Sequence, residues 1–210
     1  MAKQTDIRDQ EFVIEAIHKA TGFPRHEIDT LIHIESAGWK WDAVNPVSGA
    51  EGLIQIMPFI RRKWGVAAGE IAGSPPREQL KYILRFFREG KLKGRWRFPG
   101  DAYLAVAAPA FIGKPDETVA YKKGSLAWKQ NPGWRPPGGG DITAGSIRAL
   151  LKRKMRRRRR VLRRERVVEV LPKDAEQPGV GPPVAKRTHS VPAWGWAVLM
   201  LALAAGLDGD

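Results

Sequence analysis

Glu35 stands at the end of an apolar helical run that contains Ile28, Leu31, Ile32 and Ile34. A carboxyl in the last turn of a helix faces the negative end of the dipole, and apolar neighbours strip it of water. Both effects disfavour the ionised form. A glutamate that keeps its proton near neutral pH is suited to general acid chemistry. The alternative is an ordinary capping or surface glutamate. The residues that follow bear on the choice. Ser36 is adjacent, and Trp39–Ser48 is a polar loop with turn signals at Asn45-Pro46 and Ser48-Gly49. Gly49 and Gly52 permit positive φ or close backbone approach. Gln55 then sits among Leu53, Ile54, Ile56 and Met57, where a buried amide needs partners. A ligand rich in amides and hydroxyls would supply them, and so would the core of a folded domain.

The block Gly49-Ala50-Glu51-Gly52-Leu53-Ile54-Gln55-Ile56-Met57-Pro58, preceded by Glu35-Ser36 and Asn45, resembles the core of the soluble lytic transglycosylase family. These goose-lysozyme-like enzymes cleave the glycan strands of bacterial peptidoglycan. The resemblance covers about Ile7 to Ile142 and is specific from Glu35 to Pro58. It implies a mainly α, lysozyme-like transglycosylase domain with Glu35 as the catalytic acid. It implies that Ser36 orients Glu35 and that Ser36, Asn45, Gln55 and Met57 belong to the substrate site. It implies no cofactor. The family's Ala-Tyr-Asn, whose Tyr hydrogen-bonds the glutamate, falls here at Ala108 and Pro109. The phage-borne branch has a Tyr-Leu-Ala-Val type of helix with Pro in that place, similar to Tyr103-Leu104-Ala105-Val106. Tyr103 is therefore the expected substitute, with a core aromatic as the alternative. Some relatives carry an acidic loop that suggests calcium. Arg135 and a Pro/Gly run stand there in this chain, so no metal is expected.

The chemistry implied by the resemblance is cleavage of the β-1,4 bond between N-acetylmuramic acid and N-acetylglucosamine, with formation of a 1,6-anhydro end. A single carboxyl serves as acid and then as base. A hydrolytic muramidase of lysozyme type would need a second carboxylate. Asp42 and Glu51 are the candidates, and both are expected at the surface. A third possibility is a domain that has kept the fold and lost the chemistry, serving as a membrane-anchored structural or DNA-binding component.

Elements must position these groups. Apolar spacing predicts helices at Ile7–Ala20, ended by Gly22-Phe23-Pro24, and from about His26 to Glu35. Another can start between Pro58 and Trp64. Leu80, Ile83, Leu84 and Phe87 mark a further one, and Asp101–Gly113 reads as a buried small-residue helix. Gly65–Pro76 reads as a loop rich in Gly and Pro. Tyr121–Ile142 contains Asn131-Pro132-Gly133 and the run Pro136–Asp141, and the resemblance to the phage-borne branch implies that this segment closes the domain.

The absence of cysteine excludes disulfides and thiol chemistry. Met1–Gln10 is polar and no apolar stretch follows it, so no secretion signal is expected there. The net charge of +14 is uneven: Lys152–Arg166 holds eleven Lys and Arg against one Glu. Thr143–Leu171 can form one helix, capped by Thr143 or Ser146, with Ile147, Leu151, Met155 and Leu162 on a stripe. Its basic run suits nucleic acid or anionic lipid, unless it is simply solvated. A Pro-rich linker at 172–192 precedes an apolar stretch at 193–207, long enough for a short transmembrane helix or for docking into a partner. Lys186 and Arg187 lie before that stretch and Asp208 and Asp210 after it. The positive-inside tendency then puts the enzyme domain on the cytoplasmic side, away from peptidoglycan. A phage virion protein avoids this conflict by reaching the wall from outside. The expected organisation is a catalytic domain at 1–142, a basic helix at 143–171, a linker at 172–192 and a transmembrane helix at 193–207. The expected location is a membrane-associated place in a virion, or otherwise a bacterial membrane.

Overall fold

The computed structural model describes residues 3–170, with side chains as far as residue 158. This part is mainly helical. Helix α1 (Ile7–Thr21) begins at Asp6, whose carboxylate accepts from Arg8 N at 2.8 Å. It stops at Gly22, whose backbone N–H bonds back to the His18 carbonyl. Helix α2 (Arg25–Glu35) follows at once, because Pro24 fixes the chain in a non-helical entry. Ile28, Leu31, Ile32 and Ile34 are all buried, as their spacing predicts. Past α2 the chain makes three single-residue antiparallel bridges, Gln4 with Lys40, Val44 with Glu51, and Glu51 with Ile56.

Helix α3 (Pro58–Lys63) opens with proline in its first turn, where a missing N–H costs nothing. The expected plain loop over Gly65–Pro76 contains a short helix, α4 (Glu70–Gly73). Helix α5 (Pro76–Glu89) turns Tyr82, Ile83 and Phe87 inward and packs on α1. Phe87 meets Phe23 edge to face at 6.0 Å.

Helix α6 (Asp101–Ala107) is shorter than the expected Asp101–Gly113. A residue before proline avoids helical angles, and Ala108 leaves them at φ −155°, ψ 67°. A 3-10 turn, Pro109–Phe111, continues the chain. The segment Tyr121–Ile142 is bounded by two strands, β1 (Val119–Tyr121) and β2 (Ile142–Thr143), which pair antiparallel with an irregularity in register. Between them lie α7 (Leu126–Gln130) and a second 3-10 turn, Pro132–Trp134.

Helix α8 (Ala144–Val170) starts one residue after the expected Thr143 and continues to the last of the described residues. Thr143 and Ser146 cap it reciprocally: Ser146 N donates to Thr143 Oγ1 at 3.2 Å and Thr143 N to Ser146 Oγ at 3.0 Å. Its first turns are core, however, and not an appendage. Ala144, Ile147, Arg148 and Leu151 are fully buried, and α8 packs on α2 and α6. A domain boundary between residues 142 and 143 therefore cuts through packed structure.

Among the described residues no helix is long and apolar enough to cross a membrane. The linker at 172–192 and the apolar stretch at 193–207 lie outside the described residues.

Candidate active site

Glu35 occupies the last turn of α2, with Ser36 as the cap residue. The residue keeps a partial edge to solvent, yet protein packs round its carboxyl. Burial alone raises its pKa to about 8. Among the described residues no hydrogen bond or neighbouring charge offsets that rise. The carboxyl is therefore protonated at neutral pH, as a general acid must be.

Tyr103 lies on α6, which packs against α2. It is 2% exposed, and burial together with the nearby Glu35 charge pushes its hydroxyl further up from its ordinary value. The hydroxyl accepts from Trp134 Nε1 at 3.3 Å. The packing of α6 on α2 brings Tyr103 into the neighbourhood of Glu35, though among the described residues no hydrogen bond joins the two, and Trp134, which sequence reasoning did not single out, bonds to Tyr103. Trp134 is buried and stacks on Tyr121 at 6.2 Å.

Of the two expected roles of Ser36, orientation of Glu35 and contact with substrate, its placement rules out the second. It is fully buried, and its hydroxyl donates to Ile32 O at 2.7 Å. A sealed hydroxyl cannot touch a ligand, so Ser36 acts only by fixing the turn that carries Glu35. The turn continues through Ala37, Gly38 and Trp39, all at positive φ. A bulky residue holds such a conformation only under constraint. For Trp39 the constraint is full burial and a hydrogen bond from Nε1 to Asp29 Oδ1 at 2.9 Å.

Asn45 organises the following loop. Its side-chain oxygen accepts from Val47 N at 2.9 Å and Ser48 N at 3.1 Å, a local turn of the kind asparagine favours. Gln55 is half-buried at φ 51°, and its amide nitrogen donates to Gly52 O at 3.0 Å and Ala43 O at 3.3 Å. Its amide oxygen has no donor among the described residues and is not sealed from solvent. Met57 is half-buried against the core, at the cap of α3.

The loop that bears Gln55 is held from behind by Gln79. This side chain is fully buried and uses both ends: Oε1 accepts from Leu53 N at 2.9 Å, and Nε2 donates to Trp41 O at 2.6 Å and Ser74 O at 2.8 Å. Gly52 makes the fit possible. A Cβ there would meet Gln79 Oε1 at 2.6 Å and Ile71 Cγ2 at 2.7 Å, and the residue sits at φ 78°.

The two candidate second carboxylates are both occupied elsewhere. Asp42 is half-buried and accepts from Lys3 N at 2.8 Å, which ties down the N-terminal segment. Glu51, expected at the surface, is buried. Its carboxylate accepts from Gly69 N at 2.9 Å and Ala72 N at 3.4 Å, and Arg61 Nε stands 3.2 Å away without hydrogen-bond geometry. Its period in the motif is a structural one: it anchors the entry to α4.

Two ion-pair centres tie α8 to this site. Arg148, fully buried, donates to Asp101 Oδ1 at 2.7 Å, Asp116 Oδ1 at 2.6 Å and Lys114 O at 2.7 Å. Asp101 Oδ2 in turn accepts from Arg97 N and Phe98 N, ahead of the helix that bears Tyr103. Glu27 of α2 is also buried and accepts from Gly100 N and Ala102 N; burial raises its pKa although these bonds oppose the rise. Further along α8, Arg158 binds Asp29 through Nε at 2.7 Å and Nη2 at 2.9 Å, and Nη1 lies 2.5 Å from His33 Nδ1. Burial and the Arg158 charge lower the His33 pKa.

Among the described residues no group of three or more His, Asp or Glu could hold a metal ion. A cavity of about 370 Å³ between α1 and α5, floored by Leu84, Phe87 and Leu92, shares no residue with the Glu35 region. A scan against protein-family models finds no matching family. A search of curated proteins finds no matching sequence.

Proposed function

We propose that the chain is a peptidoglycan lytic transglycosylase with a lysozyme-like helical domain. The observation that carries this reading is the state of Glu35: a carboxyl raised to about 8 by burial, at the end of a core helix, with Asp42 and Glu51 both engaged elsewhere. One protonated acid without a companion base suits a reaction that needs no activated water.

In this mechanism Glu35 donates its proton to the glycosidic oxygen between N-acetylmuramic acid and N-acetylglucosamine. The bond breaks through an oxocarbenium-like state, assisted by the substrate's N-acetyl group. The Glu35 carboxylate, left charged in a site that disfavours charge, takes the proton of the muramic C6 hydroxyl. That oxygen closes the 1,6-anhydro ring, and the acid is regenerated. Tyr103 stabilises the transient carboxylate. Gln55, Asn45 and Met57 contact the sugars, and Ser36 supports the turn beneath Glu35. No cofactor takes part.

The exposed Arg156 and Arg157, with the arginines after them in sequence, are proposed to meet nucleic acid or anionic lipid. With the apolar stretch at 193–207 they support a place in a phage virion that aids wall penetration and genome delivery. Detection of the protein in purified particles checks that placement, and its absence from them contradicts it.

Digestion of sacculi in heavy-oxygen water tests the reaction. Anhydro products without the label agree with the proposal. Labelled reducing ends would assign the chain to the hydrolytic muramidases.

A further inference from the structure

Residues 37–39, just past Glu35, are the only three in a row at positive φ among the described residues: Ala37 at 51°, Gly38 at 101° and Trp39 at 67°. A Cβ disfavours this conformation, so it persists only where the surroundings over-determine it. On the inner side the turn closes α2. Ser36 N donates to Ile32 O at 2.9 Å, Gly38 N to His33 O at 2.8 Å and Lys40 N to Ser36 O at 3.1 Å. On the outer side its carbonyls are taken by residues 3–5. Gln4 Nε2 donates to Gly38 O at 2.6 Å. Thr5 gives Trp39 O two bonds, from N at 3.0 Å and from Oγ1 at 2.7 Å, which fill both lone pairs of that oxygen. Trp41 N returns a bond to Lys3 O at 3.2 Å.

We infer that Gln4 and Thr5 are positioning residues for Glu35: they strap down the left-handed turn at 37–39, and through it hold the last turn of α2 in the one conformation that keeps the Glu35 carboxyl packed in protein. The strap is itself fixed at both ends. Lys3 N donates to Asp42 Oδ1 at 2.8 Å, and the Lys3 ammonium lies over the Trp41 ring at 4.8 Å. At the other end Gln10 Nε2, on α1, donates to Thr5 O at 3.0 Å. Thr5 is buried, so water does not replace its hydroxyl while the contact stands. Without the strap two carbonyls lose their partners, and nothing on the outer side keeps Ala37 and Trp39 from relaxing to ordinary negative φ. Such a relaxation would pull away the amides of Gly38 and Lys40 that close α2 around Glu35. The strap's contacts stand apart from the proposed transglycosylase reaction, and only their consequence for catalysis rests on that reading.

The test takes two readings on the full chain without substrate: the titration midpoint of Glu35 by carboxyl carbon NMR, and hydrogen exchange of the Gly38 and Lys40 amides. Thr5→Val removes the hydroxyl bond and Gln4→Met the amide bond, each with little change of shape. Together they are expected to bring the Glu35 midpoint down from about 8 by about one pH unit, because a relaxed turn admits water to the carboxyl. They are also expected to speed exchange of the two amides about tenfold. Thr5→Ser keeps a hydroxyl and is expected to keep the natural values. Thr21→Val removes a similar buried bond within α1, from Thr21 Oγ1 to Ile17 O at 2.7 Å, and is expected to leave both readings alone. Either reading unmoved in the double variant, or moved as much by Thr21→Val, overturns the inference. Should the double variant fail to fold, Thr5→Val alone decides on the same two readings, since Thr5 N still holds Trp39 O. Neither reading uses peptidoglycan, so a chain inactive on sacculi can still pass this test, and an active one can still fail it.

Discussion

A carboxyl raised to about 8 by burial is a liability to the fold as well as an asset to chemistry. In the unfolded chain Glu35 ionises near its ordinary value of 4.5. Between that pH and about 8 the folded state holds a proton that the unfolded state has lost, so stability falls as pH rises through this window. Below it the group contributes nothing, and above it the full penalty stands. Glu35→Gln removes the penalty. The variant is expected to be more stable than the natural chain at pH 9, by on the order of 3 kcal/mol after allowance for residual contact with water, and equal to it at pH 4. Urea unfolding at the two pH values checks this, and an equal difference at both would contradict the burial of Glu35. The role of Ser36 is also set at this scale. Its hydroxyl serves Ile32 O inside α2, so Ser36→Ala is expected to cost about 1 kcal/mol of stability, read by the same unfolding curves, while products from sacculi stay the same in kind.

At the scale of elements, the site depends on contacts between segments far apart in sequence. The loop with Gln55 rests on Gln79, and only a glycine at 52 lets the two meet. Gly52→Ala combines a positive φ with two overlaps and is expected to cost about 2–5 kcal/mol in urea unfolding. Alanine at the open Gly65, also at positive φ but with no neighbour within 4 Å, is expected to cost only the smaller backbone share. This scale also separates what local pattern can reveal from what it cannot. The stripe of Ile28, Leu31, Ile32 and Ile34 predicts α2 because burial there repeats with the helix period. The cap pair Thr143 and Ser146 is legible because its residues are three apart. Gln79 with Leu53, Arg148 with Asp101, and Val119 with Thr143 are joined across 24 to 47 residues. No periodicity marks such pairs, so β1, β2 and the burial of Glu51 were not legible. That Tyr103 lies near Glu35 was legible through the resemblance. Trp134 was not, because a Trp in a Pro/Gly-rich segment gives no sign of the hydroxyl it will face.

For the molecule as a whole, α8 changes the division of labour. It begins as a core helix that joins α2 and α6, the two elements that bring Glu35 and Tyr103 together, and only then becomes an arginine-rich surface. Arg148→Met would strand the buried Asp101 carboxylate and is expected to cost about 3–5 kcal/mol. Arg157→Met, on the exposed side, is expected to stay within about 0.5 kcal/mol. Urea unfolding of the two variants separates them, and equal effects would mean that the first turns of α8 are not core. The central claim remains that Glu35 alone carries the acid chemistry. Its most direct test is the mass of soluble products released from purified sacculi by the full chain and by its Glu35→Gln variant. The natural chain is expected to release anhydro-muropeptides. The variant, folded by the same unfolding criterion, is expected to be slower by about 10²-fold or more. Release by the variant at the natural rate, or products with free reducing ends only, would contradict the account.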